Sequence, residues 1–204
     1  DELQNNSTQV FEELFTTYRG VGPTLDLSKP FLLVSQHPVT TEYGQNQSQI
    51  EETLIALDSL KMPTIMLWPN ADAGSDDISR GIRSFREQFN PDWLHVFKNV
   101  PTQTYIHLMK NTACLIGNSS SGIREGNFIG TPVVNIGTRQ HNRVKGDNVI
   151  DVIYENHFIR KAIEAQLNHG LYPKGTLYGD GHTGKKVADI LSSANPSIQK
   201  TITY

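Results

Sequence analysis

Residues 113–126 read A-C-L-I-G-N-S-S-S-G-I-R-E-G, and this stretch decides the fold class. The four apolar residues at 113–116 form a short continuous run, which is typical of a buried parallel strand. A turn of small residues follows, and a helix is predicted around Ile123. A strand that leads through a tight turn into a helix is the repeating unit of a parallel α/β sheet.

The same alternation of strand and helix extends along the chain in both directions. Apolar runs predict further strands over residues 31–34, 64–68, 94–97, 132–136 and 148–152. Helical spacing of apolar residues predicts helices over residues 2–18, 48–60, 78–89, 102–111, 156–169 and 183–193. These patterns together predict an α/β fold with a Rossmann-like, doubly wound parallel sheet, in which ligands bind beyond the carboxyl ends of the strands.

The composition excludes several classes of protein. A chain of 204 residues that is 37% hydrophobic and 19% charged can bury its own core and is not disordered throughout. Its net charge of −3 gives no basic field for nucleic acid or an anionic membrane surface, and no apolar run approaches the ~18 residues that span a bilayer. The single cysteine, Cys114, excludes an intrachain disulfide and favours a reducing, cytoplasmic setting.

The turn at 117–122 carries the strongest functional signal. Its glycines allow a close approach of the backbone, Ser119, Ser120 and Ser121 offer hydroxyl donors, and the helix start offers unpaired N–H groups. This pattern indicates a phosphate cradle without the lysine of a P-loop. Glu125 lies one helical turn further along, where a carboxylate would accept hydrogen bonds from ribose hydroxyls. The alternative is that the serines only cap the helix.

Three other candidate residues also follow predicted strands. His37 can donate to a phosphate oxygen or act as an acid or base, and Arg139 is a natural partner for a diphosphate. Asn70 lies in a turn from which it could contact the same ligand. Two of the three also have a purely structural alternative: His37 as a histidine that only packs, and Arg139 as an exposed loop residue.

Other chemistries receive no support from the sequence. The seven histidines show no metal-ligand spacing, so no metal site is predicted. No nucleophile elbow is present, and no G-x-G-x-x-G follows a strand, so neither a nicotinamide nor a flavin is expected. We therefore expect the protein to use no cofactor.

The run from Ile116 to Arg139, I-G-N-S-S-S-G-I-R-E-G-N-F-I-G-T-P-V-V-N-I-G-T-R, resembles the carboxyl-terminal domain of the hydrolysing UDP-N-acetylglucosamine 2-epimerases. Three more motifs fit in the same order: Q-H-P-V-T-T at 36–41, P-N-A-D-A-G-S at 69–75 and Y-G-D-G at 178–181. The likeness is to the sialic-acid branch, which includes bacterial enzymes and the epimerase half of the animal bifunctional enzyme. These enzymes convert UDP-N-acetylglucosamine to UDP and N-acetylmannosamine.

The resemblance implies one half of a glycosyltransferase-B-like fold of two Rossmann-like domains. The family reaction eliminates UDP across C1–C2 of the sugar and then hydrates the glycal with inversion at C2. We expect residues 1–29 to be a linker or helix remnant, residues 30–194 the nucleotide-binding domain, and residues 195–204 a poorly ordered tail. Because the chain begins with Asp1, we expect a fragment without its amino-terminal domain. That domain would hold the carboxylates that act at C2, so the fragment alone would bind UDP weakly without turnover.

The resemblance also implies a role for each candidate residue. By this resemblance, Ser119 and Ser120 hold the diphosphate, and Arg139 and His37 face the phosphates. Glu125 binds the ribose hydroxyls. Asn70 lines the nucleotide site, and the backbone near Val100 meets the uracil. His37 would in addition assist departure of the leaving group.

Several alternatives stay open at this stage. The chain could be the donor-binding half of a nucleotide-sugar glycosyltransferase, or a non-catalytic nucleotide-binding module. It could also belong to an epimerase that acts on another UDP- or GDP-linked amino sugar, because the side chains that select the sugar are expected in the absent domain. The family often forms homodimers, but the sequence shows no self-complementary face.

Overall fold

The computed structural model describes residues 7–195 as a seven-stranded sheet with helices on both faces. Its strands are β1 (Gly20–Val21), β2 (Leu32–Ser35), β3 (Thr64–Leu67), β4 (Leu94–Phe97), β5 (Cys114–Gly117), β6 (Val133–Ile136) and β7 (Val149–Val152). Their order is β1-β4-β3-β2-β5-β6-β7, and all neighbouring pairs except β1 with β4 are parallel. The order reverses between β2 and β5, which confirms the predicted doubly wound sheet and locates its switch point.

The helices alternate with the strands as predicted. They are α1 (Ser7–Thr17), α2 (Asn46–Leu60), α3 (Ser75–Phe89), α4 (Thr102–Asn111), α5 (Ser120–Ile123), α6 (Glu125–Ile129), α7 (Asn156–His169) and α8 (Thr183–Ser193). The helix predicted around Ile123 is interrupted at Arg124, so it forms the two short helices α5 and α6. None of the helices in residues 7–195 combines the length and apolar character that crossing a membrane requires.

Alternate residues of the strands face two separate apolar cores. Leu32 and Val34 of β2 lie in a core that α2, α3 and α7 cover, whereas Leu33 between them lies in a core that α1 and α4 cover. Successive side chains of a strand point to opposite faces, so a central strand covered on both sides is apolar at every position. This is why the strands appear in the sequence as continuous apolar runs.

The amino-terminal segment, from Phe11 to residue 29, packs against the rest of the domain. In this segment Leu14, Leu25 and Leu27 are buried in the second core. Strand β1 pairs antiparallel with β4 and was not predicted, because two residues are too few to show a periodic pattern. At the other end of the chain, the predicted poorly ordered tail lies beyond the described residues from position 196 on.

Candidate functional site

The carboxyl ends of β2 and β5 meet at the switch point, where their backbones approach closely. Gly117 at the end of β5 has a φ of +130°, and a Cβ built there would lie 2.2 Å from the Ser35 carbonyl oxygen of β2. Only glycine fits both this left-handed conformation and this contact. The two following turns, which carry His37 and Ser119, are therefore brought side by side.

Asn118 joins these two turns. Its side chain is fully buried, and its Oδ1 accepts a hydrogen bond from the His37 backbone N–H at 2.7 Å. Its Nδ2 donates to the His37 carbonyl oxygen at 2.8 Å. Because buried backbone groups need partners, this pair of bonds stabilises the turn that presents the His37 ring. The sequence analysis did not select Asn118 as a candidate.

The His37 ring is held as a neutral hydrogen-bond donor. The backbone N–H of Asn70 donates to its Nδ1 at 3.2 Å, which leaves the ring proton on Nε2, 3.2 Å from the Ser35 Oγ. Burial, together with the positive charge of Arg139, lowers the pKa of His37 to about 4. At neutral pH the ring is therefore uncharged, and its Nε2–H donates to Ser35 Oγ, a partner that a ligand oxygen could replace.

The serine turn combines capping with exposed donors. Ser119 is the N-cap of α5, and its Oγ accepts a hydrogen bond from the Ser121 backbone N–H at 3.4 Å. The capping alternative is therefore realised for Ser119. Ser120 is half-buried, and its hydroxyl makes no hydrogen bond within residues 7–195. The turn consequently keeps at least one hydroxyl free for a ligand.

Arg139 reaches the same region from the turn after β6. Its Nη1 donates to the Asn118 carbonyl oxygen at 3.3 Å, and its Nη2 lies 3.7 Å from Asp72 Oδ2. The buried Gln140 donates to that same carbonyl oxygen at 2.8 Å. Arg139 thus lies close to His37, whose pKa it lowers, while a carboxylate occupies part of its guanidinium.

The structure brings four of the seven candidate residues into one cleft. His37, Asn70, Val100 and Ser119 line a cleft of about 690 Å³ at the carboxyl edge of the sheet. This volume is typical of a small-molecule site. Cationic and hydroxyl side chains that the sequence analysis passed over line the cleft too, among them Arg19, Lys98 and Tyr105.

The remaining candidates lie around this cleft. Arg139 and Asp72 line an adjoining cavity of about 400 Å³. Glu125 lines a groove of about 810 Å³ together with Lys110 and Phe128, although its charge still raises the pKa of Tyr105. Ser120 follows Ser119 at the first turn of α5 and lines none of these cavities.

Of the two cationic residues that the sequence analysis did not select, the place of Lys98 in the cleft could have been predicted, whereas that of Arg19 could not. Lys98 directly follows β4, so the rule that directs attention to the ends of parallel strands applies to it as well. Arg19 reaches the cleft only because β1 pairs antiparallel with β4, and no sequence pattern indicated that strand. The cleft therefore holds more positive charge than expected, which suits an anionic ligand.

The described residues offer no ready-made metal centre. Among residues 7–195 no group of three or more His, Cys, Asp or Glu side chains could hold a metal ion. Cys114 lies fully buried in β5, where burial raises the pKa of its thiol.

Comparison with known proteins identifies the family. The family model described as UDP-N-acetylglucosamine 2-epimerase matches residues 2–192. A hydrolysing UDP-N,N'-diacetylbacillosamine 2-epimerase of Legionella pneumophila is 30% identical over 193 residues, which are 95% of this chain and 49% of that protein. The polysialic acid biosynthesis protein P7 of Escherichia coli is 35% identical over 67% of this chain and 35% of its own length.

The fold agrees with solved structures of the same family. The UDP-N-acetylglucosamine 2-epimerase of Methanocaldococcus jannaschii, solved with UDP-N-acetylglucosamine and UDP, superimposes with a TM-score of 0.67 at 15% identity. The match covers 94% of this chain and 52% of that one. This chain spans about half the length of the proteins it matches. It belongs to the UDP-N-acetylglucosamine 2-epimerase family.

Proposed function

We propose that this chain is the UDP-binding half of a hydrolysing UDP-N-acetylglucosamine 2-epimerase. The observation that carries the proposal is the convergence of His37, Asn70, Val100 and Ser119 on one cleft at the switch point of the sheet. Nucleotides bind at such switch points in doubly wound folds. Family membership supports this interpretation over the donor-binding half of a glycosyltransferase and over a non-catalytic nucleotide-binding module.

The diphosphate is held by hydroxyl and guanidinium donors. Ser119 and Ser120 donate from the start of α5, and Arg139 donates after exchanging its contact with Asp72 for phosphate oxygens. The neutral His37 donates through Nε2 to the leaving phosphate oxygen. Because a nearby dianion stabilises the imidazolium, UDP binding raises the pKa of His37 and prepares it to protonate the leaving group.

The nucleoside extends from the diphosphate toward Glu125 and the turn at Val100. Glu125 accepts hydrogen bonds from the ribose hydroxyls, and the backbone near Val100 meets the uracil. The Val100 N–H donates a hydrogen bond to Asn99 Oδ1 at 2.9 Å. A uracil that pairs with this N–H therefore has to displace the Asn99 side chain. Lys98 and Arg19, which line the cleft, add positive charge to it.

The reaction needs a second half of the protein. Elimination of UDP requires a base at C2 of the sugar, which this half does not supply, so the chain alone binds UDP without turnover. Helix α8 supports a further domain, because within it no residue is buried and Val187, Ile190 and Leu191 are all exposed. An amphipathic helix gains most of its stability from burial of its apolar face. We propose that the amino-terminal domain covers it, with a homodimer partner as the competing occupant.

The identity of the sugar has a second candidate. The L. pneumophila relative is named for UDP-N,N'-diacetylbacillosamine, which favours a differently modified amino sugar as the alternative substrate. The E. coli relative is named for polysialic acid biosynthesis, which favours N-acetylmannosamine as the product. We place the parent protein in the cytoplasm, in line with the single, fully buried cysteine of this chain.

Calorimetric titration of the chain with UDP, with GDP as the comparator, tests the proposal. Saturable binding that prefers UDP supports it, and tight binding of GDP moves the assignment to a guanosine-linked sugar. Absence of binding by either nucleotide contradicts a self-sufficient UDP-binding half. Assay of the full-length parent with UDP-N-acetylglucosamine then distinguishes epimerase from transferase, because only an epimerase inverts C2 without an acceptor.

A further inference from the structure

Tyr105 connects helix α4 with the serine turn through a chain of hydroxyls. Its phenol oxygen lies 2.7 Å from Ser121 Oγ, and Ser121 Oγ lies 2.9 Å from Ser119 Oγ. The half-buried tyrosine also lines the cleft beside His37. Neither the candidate roles above nor the family resemblance assigns a function to Tyr105.

The chemistry of the three hydroxyls favours one direction of donation. The Ser121 backbone N–H can only donate, so it occupies one acceptor position of Ser119 Oγ. A phenol is more acidic than an alkyl hydroxyl, which makes Tyr105 the natural donor to Ser121. Ser121 then donates to Ser119, and the proton of Ser119 is left to point outward, into the cleft.

Tyr105 keeps its proton under all ordinary conditions. Burial raises its pKa, and the negative charge of Glu125 acts in the same direction. Ser35 lies near the same phenol and contacts His37 Nε2 at 3.2 Å. The tyrosine therefore lies between the two turns that present donors to the cleft.

We propose that Tyr105 is a positioning residue, which orients the hydroxyl chain through Ser121 so that Ser119 donates its proton to a phosphate oxygen of a bound nucleoside diphosphate. The proposal rests on the proposed function for the identity of the ligand. Without the phenol, Ser121 has no fixed donor, and Ser119 can turn its proton back toward Ser121. The ligand would then meet an acceptor where it needs a donor.

The chain offers a matched control. The Tyr18 hydroxyl oxygen lies 3.3 Å from Thr104 Oγ1 and shares a hydrogen bond with it. Thr104 directly precedes Tyr105 on α4. Tyr18→Phe removes a similar hydrogen bond from the same helix without touching the serine turn. A general loosening of α4 would affect both variants, whereas orientation of Ser119 concerns Tyr105→Phe alone.

Binding of UDP, pyrophosphate and uridine to the wild-type chain and both variants tests the proposal. We expect Tyr105→Phe to lose about two- to tenfold in affinity for UDP and pyrophosphate, the effect of one hydrogen bond. Affinity for uridine, which has no phosphate, stays unchanged, and Tyr18→Phe resembles wild type throughout. Ser121→Ala gives the same loss, and the double variant loses no more. An equal loss for uridine, or the same loss in Tyr18→Phe, overturns the proposal.

A measurement without ligand separates this inference from the function itself. The NMR amide signals of Ser119 and Ser121 report the hydroxyl chain, and we expect them to shift in Tyr105→Phe but not in Tyr18→Phe. Unchanged signals in Tyr105→Phe overturn the proposal whatever the chain binds. If the signals shift but wild type binds no UDP, the orienting role of Tyr105 is supported and the assignment of a UDP site fails.

Discussion

Two buried asparagines, Asn118 and Asn148, perform the same chemistry at opposite edges of the sheet. Asn118 follows β5 at the carboxyl edge and holds both backbone groups of His37. Asn148 precedes β7 at the amino edge, where its Nδ2 donates to the Thr131 carbonyl oxygen at 2.9 Å. Both side chains are almost completely inaccessible to solvent.

The surroundings of the two asparagines differ. Around Asn148 the polar side chains bond to other groups of the protein. Gln166 donates to the carbonyl oxygens of Val133 and Asn148, and Tyr172 donates to Gln166. Around Asn118, Gln140 donates to the backbone carbonyl oxygen, but the turn that the asparagine side chain holds presents the His37 imidazole to an open cleft. Burial of a polar side chain thus indicates a structural need for partners, and its position at the carboxyl edge indicates function.

The largest expected effect separates the two asparagines directly. Asn118→Ala leaves the His37 N–H and carbonyl oxygen without partners, so we expect the free energy of unfolding to fall by roughly 2–5 kcal/mol. Asn148→Ala should destabilise to a similar degree. Urea unfolding measures the loss of stability in both variants, and calorimetric titration measures UDP binding by the folded protein. Only Asn118→Ala should also weaken UDP binding. Wild-type affinity in folded Asn118→Ala would contradict the contrast between the two edges.

Two residues of α6, Glu125 and Asn127, provide a second contrast between a ligand-binding and a structural side chain. Glu125→Ala should weaken UDP binding by about 1–3 kcal/mol, the range for charge-assisted hydrogen bonds, with much less effect on pyrophosphate. Asn127, which is buried and contacts Asn148 at 3.4 Å, should behave in the opposite way. Asn127→Ala is expected to lower stability and leave UDP affinity unchanged. Equal losses of UDP and pyrophosphate in Glu125→Ala would contradict the ribose assignment.

The third prediction concerns the pH dependence of stability. His37 has a pKa of about 4 in the folded state, below its ordinary value of 6.5, so the unfolded chain binds the proton more readily. Stability is therefore full above pH 6.5 and falls as the pH approaches 4, by about 2 kcal/mol at pH 5. Urea unfolding at pH 7.5 and pH 5 should show this loss. His37→Gln should reduce the loss to the part that His95 and His107 contribute, because burial lowers the pKa of these two histidines as well.

The exposed His141 provides the control for that measurement. His141→Gln should retain the full loss of stability between pH 7.5 and pH 5. If His37→Gln and His141→Gln behave alike, burial of His37 does not cause the pH dependence.

The smallest expected effect is a gain in affinity for UDP. Asp72 lies 3.7 Å from Arg139, and removal of its charge frees the guanidinium for phosphate. We expect Asp72→Asn to strengthen UDP binding by about 0.2–1 kcal/mol, the range for an exposed ion pair. Asp77→Asn breaks a comparable pair with Arg80 on α3 and should change nothing. Weaker binding in Asp72→Asn would mean that Asp72 holds Arg139 in its productive position.

Much of this site could be predicted because of its relation to the strands. His37, Asn70 and Ser119 follow strands whose ends share one edge of a parallel sheet, so their convergence follows from the order of the elements. Tyr105 could not be found in this way, because it projects from the middle of a helix and its sequence pattern resembles that of a core residue. Glu125 was selected by its spacing, but the groove that it lines became visible only in the structure.

The sequence by itself determined the alternation of strands and helices, because continuous apolar runs and helical spacing are local consequences of burial on two faces. It also determined which turns carry donors. The tertiary structure alone decided the strand order, the antiparallel β1, the clamp of Asn118 on His37 and the hydroxyl chain from Tyr105. These features join residues distant in sequence, such as His37 and Asn118, and they depend on pairing and close approach that no local pattern encodes.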